Sequence, residues 1–138
     1  MKHDIVKSLE ELINNNINEI DFPHVKGNSI RIKHMVVRKS PKGFLVYNTK
    51  DNKQIARLFC KASAIALAKS CAQGKSLLSD IIDLDKIIEK FYNDCIFYKH
   101  TIINTKDPIR RDISEIRFDE AKFQTNHAKS ALDRIIFA

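Results

Sequence analysis

Between Leu77 and Ile102, eight apolar residues recur at alternating intervals of four and three: Leu77, Ile81, Leu84, Ile88, Phe91, Cys95, Tyr98 and Ile102. Such a spacing keeps one face of an α-helix apolar for seven turns, and no other regular structure satisfies it. Ile82, Ile87, Tyr92 and Ile103 lie beside that seam and widen it beyond what a single partner helix covers, so a third surface is expected to pack on it. Asn104 to Lys106 break the pattern. Asp107-Pro108 restarts it, with an acceptor side chain at the cap and proline in the first turn.

From Pro108 to Phe137 a second apolar face is carried by Ile113, Ile116, Ala121, Phe123, Ala128, Ala131, Leu132 and Ile135, smaller and less regular than the first. Each helix is near 30 residues, roughly 45 Å at 1.5 Å per residue. A link of three or four residues forces the two antiparallel. Residues 75–138 are therefore expected to form a long helical hairpin, too long for the basic module before it to cover completely, which leaves part of the stripe to the N-terminal helix or to another chain.

The preceding segment has a different period. Ser29 to Arg38 is rich in Val and Ile, Ser40-Pro41-Lys42-Gly43 suits a tight reversal, and Phe44 to Tyr47 follows as its partner strand. A turn over Thr49 to Lys53 leads to a third strand, Gln54 to Phe59. Alternation along the first strand sets Ile30, Ile32, His34 and Val36 against Arg31, Lys33, Met35 and Val37, and the former set is the expected core face. Lys61 to Gln73 is an alanine-rich helix ended by Gly74. Upstream, Ile5, Leu9, Leu12, Ile13 and Ile17 predict an amphipathic helix capped by Asp4, with Pro23 and Gly27 closing the segment. The expected fold is α+β: an N-terminal amphipathic helix (1–21), a basic β-β-β-α module with a three-stranded antiparallel meander (22–74), and the helical hairpin (75–138).

Charge divides along the same boundaries. Residues 1–21 hold two lysines against five acids and carry −3. Residues 22–70 hold eleven basic groups and one acid, Asp51, and carry +10, while residues 71–138 hold eleven of each sign and cancel. The whole net charge of +7 on 138 residues thus arises from one third of the chain. A surplus gathered into a small module should attract polyanions; the alternative is that these lysines are a solubilising coat and the nearby aromatics are core. Arg31, Lys33, Arg38, Lys39, Lys42, Lys50, Lys53 and Arg57 are the expected anion-binding or nucleic-acid-binding residues, with Phe44, Tyr47 and Phe59 near enough to stack on bases.

Catalysis finds little support. With three glycines, two of them committed to a turn and a helix end, no phosphate-cradling loop can be built. Cys95 and His100, five positions apart, diverge by about 140° around a helix, and Asp80 with Asp83 reads as a solvated face beside Lys86. The three cysteines, 60, 71 and 95, are odd in number and spaced for neither disulfides nor zinc, and no histidine pair shares a helical face. No catalytic residue, metal or cofactor is expected. Neither is a membrane partner: no apolar run reaches the roughly 18 residues that span a bilayer, and the acidic start does not suit a targeting signal. That placement points to the cytoplasm.

The hairpin supports a role in assembly. Tyr98 and Ile102 at the end of the seam, with Ile135 and Phe137 in the apolar C-terminus, are the expected contacts for self-association or for docking in a larger protein assembly. The segments GFLVYNTKDNKQIARLF, KASAIALAKS and FYNDCIFYKHTIINTKDP resemble small proteins encoded by contractile-tailed phages of marine bacteria, chiefly cyanobacteria, over roughly residues 29–137. The resemblance supplies no binding residue; it implies host cytoplasm or virion as the setting and the virion, phage DNA or a host protein as the partner. The expectation is a non-enzymatic assembly protein whose hairpin docks and whose basic module contacts an anion, DNA or RNA. The alternative is a nucleic-acid-binding accessory protein acting mainly through that module.

Overall fold

The computed structural model of the chain describes residues 25–26 and 29–138. Five antiparallel strands lie in sequence order: β1 (Val25–Lys26), β2 (Ser29–Ile32), β3 (Met35–Ser40), β4 (Gly43–Asn48) and β5 (Lys53–Leu58). Three helices follow: α1 (Lys61–Ala72), α2 (Leu78–Asn104) and α3 (Pro108–Ile136). The α+β class and the helical hairpin stand. The helix expected over residues 1–21 lies outside the described residues.

The three-stranded meander is corrected to a sheet of four strands, with the two-residue β1 added at its edge. The expected first strand is in fact two. It reverses at Lys33-His34, where Lys33 takes a left-handed φ of 53° and Ile32 pairs with Met35. No glycine or proline marks this turn, so nothing in the residue types announces it. The consequence is a change of parity. Ile30 pairs with Val37 across the new hairpin and Val37 with Val46, so Met35 and Val37 join Ile30 and Ile32 on the core face and Val36 moves to the other side.

The second turn is as expected. Ser40 pairs with Gly43 across Pro41-Lys42, and Gly43 has φ 133° with a Cβ position only 2.5 Å from the Leu58 carbonyl oxygen, which only glycine tolerates. The third turn, Thr49 to Asn52, is tied back to the first: the Thr49 amide and hydroxyl both donate to the His34 carbonyl at 2.8 Å. A bulge near Val46 and Tyr47 shifts the β4–β5 register.

Helix α1 lies against one face of the sheet and is buried almost throughout, its alanines allowing close approach. It ends in a Schellman motif: Lys75 N–H donates to Ser70 O at 2.8 Å and Gly74 N–H to Cys71 O at 3.0 Å, with Gly74 at φ 75°. Its first turn has no cap of its own. Asp85 of α2 supplies one, its carboxylate accepting from the Phe59 and Cys60 amides at 2.8 and 3.1 Å. On the other rod of the hairpin, at the same root, Lys69 of α1 donates to the Ile136 carbonyl, closing the C-terminus of α3.

Asp107 caps α3 by accepting from Ile109 N–H at 3.0 Å, and Pro108 occupies its first turn. The three-residue link folds α3 back along α2, as the spacing requires. Ile81, Ile88 and Cys95 of the seam are fully buried, and the rest of it is half-buried. One core joins the sheet, α1, the start of α2 and the end of α3 from Ala128 to Ile136. The far part of the hairpin holds only a small separate cluster around Cys95, Phe118 and Ala121. From Ile88 to Asn104 the hairpin therefore extends roughly 24 Å beyond the main core as an arm.

Candidate nucleic-acid interface

Strand alternation settles which basic side chains can act together. With α1 on one face of the sheet, the opposite face carries two cross-strand rows, Ser29–Arg38–Leu45–Arg57 and Arg31–Val36–Tyr47–Gln54. Successive strands are about 4.8 Å apart, so the backbones of Arg38 and Arg57, two strands apart, are separated by roughly 10 Å. Arg31, Arg38 and Arg57 are all exposed; Val36, Leu45 and Tyr47 are half-buried. Neither row contains a carboxylate. No described helix packs across this face.

Two of the three arginines are oriented by contacts within the sheet. The Arg38 guanidinium stands 5.9 Å from the centre of the Tyr47 ring, a cation–π distance. Arg31 Nε donates to the Lys33 carbonyl at 3.2 Å, which draws its head toward the first turn. The face thus offers planar bidentate donors for phosphate oxygens above a small apolar floor.

The other five basic residues are exposed but surround this face instead of standing on it. Lys33, Lys50 and Lys53 gather at the end of the sheet where the first and third turns meet. Lys39 and Lys42 lie at the opposite end, around the Pro41-Lys42 turn. Lys39 pairs with Phe44 and Lys53 with Asn48, positions whose parity is that of the helix-covered face. The eight residues form an arginine track with a lysine cluster at each end, not a single patch. Of the aromatics, Tyr47 shares the track, whereas Phe44 and Phe59 pack against the core. Val36 was missed as a member because the unmarked turn at Lys33-His34 reversed the expected parity of its strand; Leu45 and Gln54 are placed by pairing with Arg38 and Tyr47.

The Cys60 thiol is buried, lies 2.9 Å from the Ser63 hydroxyl, and is pushed from its ordinary 9.0 up to about 12 by burial and by the Asp85 carboxylate. Burial, with Asp94 beside it, raises Cys95 to about 11. Neither supplies a thiolate near neutrality. An open groove of ≈ 440 Å³ beside β5 is lined by Ile55, Phe59 and Ile82 and rimmed by Lys42, Lys86 and Glu89. Among the described residues no three His, Cys, Asp or Glu side chains gather to hold a metal ion, and no helix is long and apolar enough to cross a membrane.

The four expected assembly residues do not form one surface. Tyr98 and Ile102 are half-buried on the small cluster of the arm, Ile135 is half-buried on the main core, and Phe137 alone is exposed, at 57 %. The apolar surface that is free lies elsewhere. Seven large apolar residues of the arm are exposed: Ile96, Phe97, Ile103, Ile109, Ile113, Ile116 and Phe123.

No protein-family model matches this chain, and no curated protein or solved structure matches it either.

Proposed function

We propose that the protein is a non-enzymatic interaction protein with two working surfaces: the arginine face of the sheet binds a nucleic-acid backbone, and the arm of the hairpin mediates assembly. The observation that carries the first part is the placement of exposed Arg31, Arg38 and Arg57 with Tyr47 on one face whose two cross-strand rows hold no carboxylate, Arg57 alone bordering the groove that Asp85 and Glu89 also line. Guanidinium forks suit phosphate oxygens, and an aromatic side chain on the same sheet offers a stacking platform that tolerates any base. Contacts of this kind hold a strand without reading its sequence. The lysine clusters at both ends extend the track in the strand direction.

The exposed apolar residues of the arm favour the second part, because large apolar side chains gathered in number on one exposed element mark an interaction surface. The phage setting implied by sequence resemblance belongs to the same proposal, with host cytoplasm or virion as its location and phage nucleic acid as the polyanion. The test is fluorescence anisotropy with labelled single-stranded and duplex oligonucleotides of DNA and RNA. Affinity should fall steeply between about 50 and 200 mM salt. Absence of binding at low salt, or binding indifferent to salt, refutes the assignment of the sheet.

A further inference from the structure

The apolar face expected along α3 was irregular because it is two faces. Ser114, Phe118, Ala121, Thr125, Ala128 and Leu132 are buried and form the inner one, facing α2 and the core. Ile109, Ile113, Ile116 and Phe123 form the other, at 70, 46, 68 and 62 % exposure. Continued through Glu120 and His127, the outer positions step by four, three, four, three and four, which is again a heptad seam, roughly 140° around the helix from the first. His127 stacks on Phe123, their ring centres 6.0 Å apart, extending the stripe by about one turn.

From these positions we infer that the outer face of α3 pairs with the same face of a second copy of the chain, parallel and in register, as a short two-stranded coiled coil. This rests on reading the arm as an assembly element, and adds the partner, the helix and its direction. Ile109, Ile116 and Phe123 take the d positions; Ile113, Glu120 and His127 take the a positions. The flanks then decide the orientation. The e positions are Arg110, Arg117 and Gln124, and the g positions are Asp112, Asp119 and Asn126.

In a parallel pair each g residue meets the e residue five positions later on the other chain, so Asp112 faces Arg117 of the partner copy, twice by symmetry. In an antiparallel pair e meets e and g meets g, which sets arginine against arginine and aspartate against aspartate. A helix whose flanks carry opposite signs is complementary to itself in one direction only. Glu120 against its own copy is the one opposed layer, and it holds the dimer to modest affinity. Parallel pairing also places both sheets at the same end of the assembly, where two arginine tracks can share one polyanion.

The test is sedimentation of the full chain with increasing concentration. A reversible dimer is expected, and Glu120→Leu should tighten it by about tenfold or more, because an apolar a layer replaces two facing carboxylates. Asp112→Arg or Arg117→Asp alone should weaken it about tenfold, and mixing the two single variants should restore it as a heterodimer, since both contacts between positions 112 and 117 are again opposite in sign. Ile116→Cys in a Cys71→Ser background should form an intermolecular disulfide under mild oxidation. A chain still monomeric near 500 µM, even with Glu120→Leu, overturns the inference of a second copy. A dimer that is abolished by Phe123→Asp yet gives no Ile116→Cys cross-link overturns the parallel pairing and leaves the arm as an assembly element. A dimer indifferent to Phe123→Asp and Ile109→Asp removes the arm from assembly altogether.

Discussion

Replacing Arg31, Arg38 and Arg57 together by glutamine removes the charge of the sheet face while leaving its backbone and apolar floor in place. All three side chains are exposed, so thermal unfolding should shift little and the effect should appear in binding. Its size follows from counterion release. β3 and β4 are six residues each, roughly 20 Å along the strand, and a single nucleic-acid strand laid along them passes three arginines and at least one lysine of each end cluster. Five phosphate contacts give a slope of log affinity against log salt of about −3.5 on single strands, a loss of roughly 100-fold between about 50 and 200 mM salt.

The triple variant retains the two lysine contacts, so its slope should be about −1.4 and its loss over the same range only about sevenfold. Near 0.1 M salt, removal of three contacts should weaken binding by roughly 100-fold. Anisotropy titrations at four salt concentrations measure both quantities. A control with Lys106 and Arg110 changed to glutamine, at the tip of the arm, should keep the wild-type slope. If the triple variant keeps it too, the arginine face is not where the polyanion lies.

Three further outcomes follow from the fold. Asp85→Ala leaves the Phe59 and Cys60 amides without their acceptor at the uncapped start of α1, and should cost about 2–4 kcal/mol in urea unfolding; Asp85→Asn, which keeps one oxygen, should cost less. Gly43→Ala forces a side chain into left-handed backbone against the Leu58 carbonyl, and should cost at least about 1–3 kcal/mol, more than Gly74→Ala, whose Cβ position is open. Because Cys60 and Cys95 are raised from 9.0 to about 12 and 11 by burial, the folded chain holds those protons after the unfolded chain releases them. Their contribution to stability is complete below pH 9 and is lost as pH rises through 11 to 12, so the urea midpoint should decline over that interval. At pH 8 a thiol reagent should reach the half-buried Cys71 and label the other two only on unfolding.

Features written in residue type and spacing were legible before any coordinates. The seam from Leu77 to Ile102, the Asp107-Pro108 restart, the Pro41-Lys42-Gly43 reversal and the end of α1 at Gly74 each have a local cause, and each lies where it was expected. Lys33-His34 had no such cause. A turn that places lysine in left-handed backbone is selected by pairing of the strands it joins, Ile30 with Val37 and Ile32 with Met35, and that is tertiary information. All eight cations of the candidate site were visible as a charge block, but their division into three on the face and five around it depends on the parity that the turn reverses.

The outer stripe of α3 was hidden for a different reason. Two heptad seams on one helix, superposed in the sequence, look like one irregular stripe, and only the burial of Phe118 and exposure of Ile116 separate them. Nothing in the sequence singled out Asp85. Its value depends on the amides of Cys60 and Phe59, 25 and 26 positions away in the chain.

The root of the hairpin is embedded in the layer beneath the sheet, with Asp85 gripping the start of α1 and Lys69 gripping the end of α3. Helix α1 is thus a shared footing: the layer that carries the strands on one side also seats the first turns of one rod and the last turns of the other.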